Sequence, residues 1–484
     1  MAPVTETRYS QVAGAIERDI EREIYRPGER LPGVRRLAQQ YQVSIATALE
    51  ACRLLEDRGR VEAKLRSGFF VRLHRHSPVS QPAISDPPRA PSAVTGQQLA
   101  MQLIKAANDP NLLPLGAAVP HAQFMPVQAV AAAMTRTLRR HGASAATYAF
   151  PPGQIELRRQ IARRMSELGC PTDPDAIVIT NGCQEALGLA LRALTQPGDV
   201  VAIESPTFYG LLQAIEAQGL KALEIPTHPH DGISIEALEF ALEQWPVKVC
   251  IVTPNFSNPL GSCMSTERKR ALVALLERKD IPLIEDDVYG DLGFEGARPG
   301  IAKAFETTGN VLYCSSFSKT LAPALRIGWI AAGRYQAQVE YHKYVLNLAS
   351  PTAPQLAVAD LLERGGYDRY LRQVRRDHAT AVARMSRAVE RYFPEGTRVT
   401  QPRGGFVIWI EFPAAIDGNT LYAQALPHGI SIAPGTLFSA TGRYRNFIRL
   451  NCAVPWDERT ERAIARLGQL ALAGCERAVA SPAQ

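Results

Sequence analysis

"SSFSKTLAPALRIGW", residues 315–329, sets Lys319 among serines directly behind the apolar run Val311-Leu312-Tyr313-Cys314, with Arg326 seven residues further on. A short apolar run bounded by polar residues reads as a buried strand. A lysine that serves solubility belongs on a helix face or in a loop. One at a strand end, among small hydroxyls, is placed for presentation to a pocket. The alternative is a surface turn, and the flanking sequence has to decide between them.

On both sides of this stretch strands and helices alternate. Apolar strand candidates lie at 176–180, 200–204, 247–253, 282–285, 311–315 and 327–331, separated by amphipathic stretches such as 186–194 and 267–277. That alternation predicts an α/β domain with a mostly parallel sheet, whose ligand site lies at the strand carboxyl ends. The polar residues that look out of place collect there. Asn181-Gly182-Cys183-Gln184 opens a helix after the first strand, and free N–H groups at such a turn suit a phosphate. Ser205-Pro206-Thr207-Phe208-Tyr209 follows the second strand, and a loop with Asn258-Pro259-Leu260-Gly261 follows the third. Asp286, Asp287 and Tyr289 follow the fourth; Ser316, Ser318, Lys319 and Arg326 follow the fifth. Each has a structural alternative: Gly182 a turn, Phe208 core, Asn258-Pro259 a turn, Asp286 a helix cap. Five such features in adjacent loops point instead to one ligand, pyridoxal 5′-phosphate. Its aldehyde needs an amine, and its ring nitrogen needs a carboxylate to stay protonated.

In the order and identity of these motifs the chain resembles the fold type I aminotransferases over roughly residues 101–475. The resemblance implies that Lys319 carries the cofactor as a Schiff base, and that Asp286 pairs with the pyridinium nitrogen. Asn258 and Tyr289 would hydrogen-bond the phenolic oxygen, and Phe208 would stack on the ring. Gly182, Cys183, Gln184, Ser316 and Arg326 would hold the phosphate, with Ser318 beside them. Lys319, Asp286 and Tyr289 would be the catalytic groups. Tyr148, in "ATYAFPPGQIELRRQIA", matches a tyrosine that reaches the phosphate of the other subunit, which implies a homodimer. Arg449, in "NFIRLNC", matches the arginine that grips a substrate α-carboxylate. Departures are mild: Cys183 stands where a hydroxyl or small residue is common, Ala324 where glycine is usual, and Phe208 lacks a polar tip.

The first part of the chain has a different character. Residues 1–78 hold 14 Lys/Arg against 10 Asp/Glu, so four of the seven net positive charges fall in a sixth of the length. That concentration points to a polyanionic partner for this piece alone. Residues 9–22 place Val12, Ile16 and Ile20 on one helical face, and Pro27-Gly28 breaks the chain. Val34, Leu37, Ala38 and Tyr41 mark a second helix. Ser44 caps a third, whose Ala48, Leu49, Cys52 and Leu55 face inward until Gly59. Residues 61–64 and 69–72 flank Arg66-Ser67-Gly68 as a hairpin. Two helices joined by a tight turn and followed by a basic hairpin make a winged helix-turn-helix.

Over roughly residues 9–72 the stretch resembles the GntR family of bacterial repressors. The matching residues are Tyr9, Pro27-Gly28, Leu31-Pro32, Val34-Arg35, Leu37-Ala38, Val43-Ser44, Thr47, Leu55, Gly59 and Gly68. The resemblance implies DNA contacts by Arg35, Ser44, Thr47 and Gly68, with Arg36, Ile45 and Arg66 on the same surface. Ile45 stands where the family often has arginine. It can meet a thymine methyl but cannot pair with guanine, which leaves the operator open.

Residues 77–98, with Pro78, Pro82, Pro87, Pro88 and Pro91, read as a semi-rigid tether. The expected organisation is therefore a DNA-binding domain at 1–76, the linker at 77–98 and a cofactor-binding body at 99–484. The body would have a large part at about 130–345 and a small part at about 99–129 and 346–480. Composition (46% apolar, 21% charged) is that of a soluble globular protein, and no run approaches membrane-spanning length. The first residues lack the apolar core of a signal peptide, and eight scattered cysteines without a C-x-x-C pair predict reduced thiols in a cytoplasm and no metal site.

The combination resembles the MocR family of pyridoxal-phosphate-dependent transcriptional regulators. It implies a regulator of operator DNA whose effector, an amino acid, amine or vitamin B6 compound, is sensed at the cofactor site. An aminotransferase with an accessory DNA-binding domain is the alternative, and both activities could coexist.

Overall fold

Alternating apolar periods build the first of two units, Met1–Pro78 and Val79–Gln484, into which the chain divides. The computed structural model describes residues 7–21, 24–25, 29–57, 60–64, 67–71 and 80–480. Helix Arg8–Glu21 buries Val12, Ala13 and Ile16 against Leu37 and Ala38 of Val34–Gln40 and Ala48, Ala51, Cys52 and Leu55 of Ile45–Asp57. Ala51 takes the inward place expected for Leu49, which is half-buried. Ser44 Oγ accepts the Thr47 N–H at 3.1 Å, so the third helix begins where the cap was predicted. The wing pairs Val61–Lys64 with Gly68–Val71 in the register Val61↔Val71 and Lys64↔Gly68. Residues 29–31 add a third extended stretch: the Leu31 N–H donates to Phe69 O at 2.9 Å, and the Val71 N–H to Glu29 O at 2.8 Å. Pro27-Gly28, Gly59 and Arg66 lie outside the described residues.

The second unit is built on an eight-stranded sheet in the order Ile177–Thr180, Gly328–Ala331, Val311–Ser316, Leu283–Asp286, Val247–Val252, Val200–Ser205, Lys221–His228, Gly232–Ile233. The run from Val311–Ser316 to Lys221–His228 is parallel; Gly328–Ala331 is antiparallel to both its neighbours. Six of these strands match the sequence expectation to within a residue or so. The two at the far edge were not anticipated, because Lys221, Glu224 and Pro226 interrupt the apolar signal. A smaller antiparallel sheet, Arg398–Val399, Val407–Glu411, Phe447–Asn451 and Ala433–Pro434, packs Ile408, Ile410 and Leu450 against Met385 and Val389 of helix Gly366–Tyr392 and Ile464 and Leu467 of Glu458–Ala480.

Two expectations about organisation need correction. Helix Thr352–Glu363, assigned to the small part, packs Ala357, Val358 and Leu361 into one core with Ala133, Leu157 and Ile161 of the large part. Its apolar face is complementary to those helices, so the border falls later in the chain. Nor are residues 80–98 a free tether. Ser92 pairs with Ala222 at the sheet edge, Val94 is buried in the core, and Trp245 Nε1 donates to Arg89 O at 3.0 Å. The prolines hold this segment extended, which is the conformation a sheet edge can pair with. Among the described residues no helix is long and apolar enough to cross a membrane, and no cluster of His, Cys, Asp or Glu could hold a metal ion.

Candidate functional site

Strand Val311–Ser316 ends in buried Ser316, whose Oγ accepts the Ser318 N–H at 3.3 Å. The chain then turns Lys319 inward, and its Nζ donates to Ala118 O at 2.7 Å. The surface-turn alternative is thereby excluded. Burial, with Arg449 and Arg326 nearby, lowers the Lys319 pKa to about 8 against the opposing pull of Asp286. An amine so poised is neutral in about a tenth of molecules at pH 7, far more than an ordinary lysine, and mostly neutral above pH about 8.

The next strand, Leu283–Asp286, separates two adjacent acids. Asp286 accepts from Cys183 Sγ at 3.4 Å and from the Val288 N–H at 3.3 Å, and burial raises its pKa to about 6. Asp287 turns to the other side of the strand, as alternation requires, and accepts from Arg298 Nη2 at 2.5 Å, Tyr313 OH at 2.8 Å and Asn255 Nδ2 at 2.8 Å. Asp287 is satisfied by its own network; Asp286 is the acid left for the pocket. Tyr289 is buried with its ring 5.6 Å from that of Phe406 and its hydroxyl bonded to Asn258; burial pushes its pKa up.

Arg449, in the middle of strand Phe447–Asn451, is fully buried. It donates to Asn258 Oδ1 at 3.2 Å and to Gly116 O, contacts the Tyr209 hydroxyl and lies with Cζ 5.3 Å from the Phe438 ring centre. Its Nε has no partner, and among the described residues its partners are neutral. A buried guanidinium held by neutral groups is a site prepared for an anion.

Gly182 has φ +84°, and a Cβ there would sit 2.6 Å from Arg326 Nη2. Arg326, itself at φ +53°, donates through Nη2 to Asn181 O at 2.6 Å. A Cβ on Gly328 would lie 2.5 Å from Gly182 C, so the antiparallel strand presses against the glycine turn. Helix Cys183–Leu194 starts at this turn and aims its first N–H groups into the same space. Gln184 is exposed, its side chain donating to Gly210 O at 2.7 Å. Phe208 is half-buried, its ring 4.9 Å from that of Tyr209 and so close over Gly210 that a Cβ there would meet Phe208 Cε1 at 2.4 Å.

Tyr148 stands apart. It is 68% exposed and its ring contact is with Phe150, also exposed. Helix Gln336–Asn347 likewise exposes Tyr341, Tyr344, Val345 and Leu346.

Three residues around the site had no role in the sequence reading, Phe438, Glu185 and Lys343, and Tyr209 was noted there only as part of an aromatic pair. Tyr209 and Phe438 flank Arg449. Glu185 Oε2 accepts the Asn181 N–H at 2.5 Å and is itself paired with buried Lys343 at 2.7 Å, which fixes the glycine turn from behind. Glu185, one helical turn after Asn181, carried a detectable signal; Lys343 and Phe438 are far off in sequence and carried none.

In the first unit Arg35 and Arg36 are exposed on helix Val34–Gln40, and Ile45 is 55% exposed at the start of the next helix. Ser44 is exposed, with its Oγ 2.8 Å from Thr47 Oγ1, and Thr47 is half-buried. Gly68 opens the second wing strand at φ +98°, with Arg30 Nε 3.3 Å from where a Cβ would stand. Charged, hydroxyl and apolar side chains are thus exposed on these two helices.

Residues 111–467 match the family described as aminotransferase class I and II, and residues 8–71 match that of bacterial regulatory proteins, gntR family. The chain is 39% identical to the uncharacterized HTH-type transcriptional regulator YjiR of Escherichia coli, over 96% of this chain and 98% of that one. It is 30% identical to aromatic-amino-acid aminotransferase 1 of Thermococcus litoralis, over 76% of this chain and 90% of the relative. Among solved structures, LysN from Thermus thermophilus, an alpha-aminoadipate aminotransferase complexed with N-(5′-phosphopyridoxyl)-L-leucine, superposes with TM-score 0.70 at 27% identity, covering 79% of this chain and all of that one.

Proposed function

The chain belongs to the aminotransferase class I and II family, with a gntR-family unit in front of it, and from that premise we propose that it is a pyridoxal 5′-phosphate-dependent regulator of transcription. It would bind operator DNA in the cytoplasm through its first unit and sense an amino acid, amine or vitamin B6 compound in the second. One observation carries the reading. Lys319 is buried within electrostatic reach of both Asp286 and the anion-ready Arg449, in a chain that also carries a winged helix-turn-helix.

The residues present fit the cofactor. The glycine turn that Arg326 fills, the helix that starts there, the buried acid and the lysine form a set with no other evident use. When bound, the cofactor supplies an aldehyde that condenses with amines and a ring that withdraws electrons when protonated. Gly182, Cys183, Gln184, Ser316, Ser318 and Arg326 would hold its phosphate. Phe208 would cover one ring face, Asn258 and Tyr289 would donate to the phenolic oxygen, and Asp286 would hold the proton at the ring nitrogen. Lys319, neutral above pH about 8, is the amine for covalent attachment and a base for moving a proton. Arg449 would take the effector carboxylate.

The exposed Tyr148, Phe150, Tyr341, Tyr344, Val345 and Leu346 form apolar surface of the kind a second copy covers, which supports a homodimer in which Tyr148 reaches the partner's phosphate site. Arg35, Arg36, Ser44, Ile45, Thr47, Arg66 and Gly68 would meet DNA. The intact set of Lys319, Asp286 and Tyr289 favours a second activity, slow transamination. The deciding experiment is selection of duplex sites from random DNA by the full-length protein, with and without pyridoxal phosphate and amino acids. Ligand-dependent enrichment of one site is expected. Fast turnover with DNA affinity indifferent to both ligands would make the chain an enzyme first.

A further inference from the structure

Residues 80–98 are tied at separate points to both parts of the second unit. On the small part, the Val399 N–H donates to Ser80 O at 3.0 Å; Thr95 donates through N and Oγ1, at 3.0 and 3.1 Å, to O of Ala440, whose side chain packs into the core of the large sheet. On the large sheet, Ser92 and Ala222 exchange two backbone bonds of 2.9 Å, and Ser85 Oγ bonds Ser205 O at 2.5 Å and the Thr227 N–H at 2.8 Å. Tyr444 closes the arrangement from the small part. Its hydroxyl bonds Ser205 Oγ at 2.7 Å and also Ser85, and its backbone stands at φ +60°, a rare conformation for tyrosine. Ser205 in turn donates to buried Glu224 at 2.7 Å, which also accepts from Ser439 at 3.1 Å.

Val94 is packed into the core near the end of the segment, but residues 82–89 are held by these points and only lightly packed between them. Pro82 and Pro87 are buried, but Ile84 is 51% exposed. Cavities of about 480 and 250 Å³ flank residues 82–89, one toward Phe240 and Trp245 and the other toward Trp409 and Tyr444. A segment fixed by a few hydrogen bonds beside open space detaches at low cost. The path from the pocket to these bonds is continuous. Arg449 lies over the Phe438 ring, Phe438 packs on Trp409 with centroids 5.1 Å apart, Trp409 is 5.9 Å from Tyr444, and Tyr444 bonds Ser85.

We propose that residues 80–98 are a strap across the two parts of the second unit, and that occupancy at Arg449 is passed to the DNA-binding unit by loosening or tightening it at Tyr444 and Ser85. This rests on the reading of the pocket given above. Any shift of the small sheet against the large one moves Val399 and Tyr444 relative to Ala222 and Thr227, so the strap cannot keep all of these bonds unchanged. Tyr444 and Ser85 are positioning residues: neither touches the pocket.

The test is hydrogen exchange on the full-length protein. Tyr444→Phe removes one hydroxyl and no ring, so exchange over residues 84–95 should quicken about three- to tenfold, as loss of one or two hydrogen bonds implies, with helix Cys183–Leu194 unaffected. N-(5′-phosphopyridoxyl)-L-leucine is then titrated into the cofactor-free protein, with binding read by calorimetry. Bound probe should change exchange over 80–98 in the wild type and leave it unchanged in Tyr444→Phe. Exchange indifferent to Tyr444→Phe, or to a probe that calorimetry shows bound, overturns the strap. Absence of probe binding strikes the reading of the pocket instead, and the ligand-free comparison of Tyr444→Phe with wild type still decides whether the strap is held as described.

Discussion

Removing the Arg449 guanidinium separates recognition of a carboxylate from recognition of an amine. In the free protein this side chain is wholly buried, donates only to neutral acceptors and leaves Nε unpartnered, so a carboxylate entering the pocket gains charge-assisted hydrogen bonds already desolvated and oriented. Such bonds contribute about 1.5–3 kcal/mol, or roughly ten- to a hundred-and-fiftyfold in affinity. Arg449→Lys keeps the charge but loses the two-pronged geometry and should forfeit most of that factor; Arg449→Met should forfeit all of it. Both leave Asn258 Oδ1 and Gly116 O short of a donor, so a lower Tm is expected as well. The assay titrates the cofactor spectrum of the loaded protein with amino acids and, in parallel, with the amines obtained by removing their carboxylate. Amino acids should weaken by the stated factor while the matching amines bind as before. Equal weakening of both series, or amino-acid affinity untouched, would refute the assignment of Arg449 as the carboxylate clamp.

Borohydride should fix the cofactor to the peptide carrying Lys319, and Lys319→Ala should abolish that adduct. Because the Lys319 pKa is lowered to about 8, the rate of covalent attachment should rise about tenfold per pH unit below that value and level off above it. Gly182→Ala should weaken cofactor binding at least about tenfold, since the new Cβ displaces Arg326 Nη2 from 2.6 Å and a side chain strains φ +84°. Asp286→Asn should leave the cofactor bound but cut any transamination by about a hundredfold or more, read by single-turnover kinetics. In the DNA-binding unit, Arg35→Ala should lower affinity evenly across sequences and reduce the salt slope by about one, whereas Ile45→Ala should alter preference at one base pair.

Short-range chemistry was legible in the sequence. Strand-end polar residues announce themselves because a buried apolar run that stops at Asp286 or Ser316 leaves few places for those groups except the sheet's carboxyl edge. The N-cap at Ser44 and the inward stripe of Val12 and Ile16 follow from local rules of period and capping and appeared as expected; the wing hairpin did too, but its second strand starts at Gly68, one residue earlier than the sequence suggested. What the tertiary structure alone decided is everything set by contact between segments remote in the chain. The family resemblance already picked Asp286 from the two adjacent acids; the physical reason that Asp287 is otherwise engaged, by Arg298 and Tyr313, came only with the fold. The environment of Arg449 depends on Asn258, Gly116 and Phe438, two of them more than 150 residues away. The proline-rich stretch looked like a tether because composition reports what a segment can do alone, extended and poor in large apolar groups. Its attachment depends on unpaired edge groups at Ala222 and Thr227, which exist only once the sheet has formed.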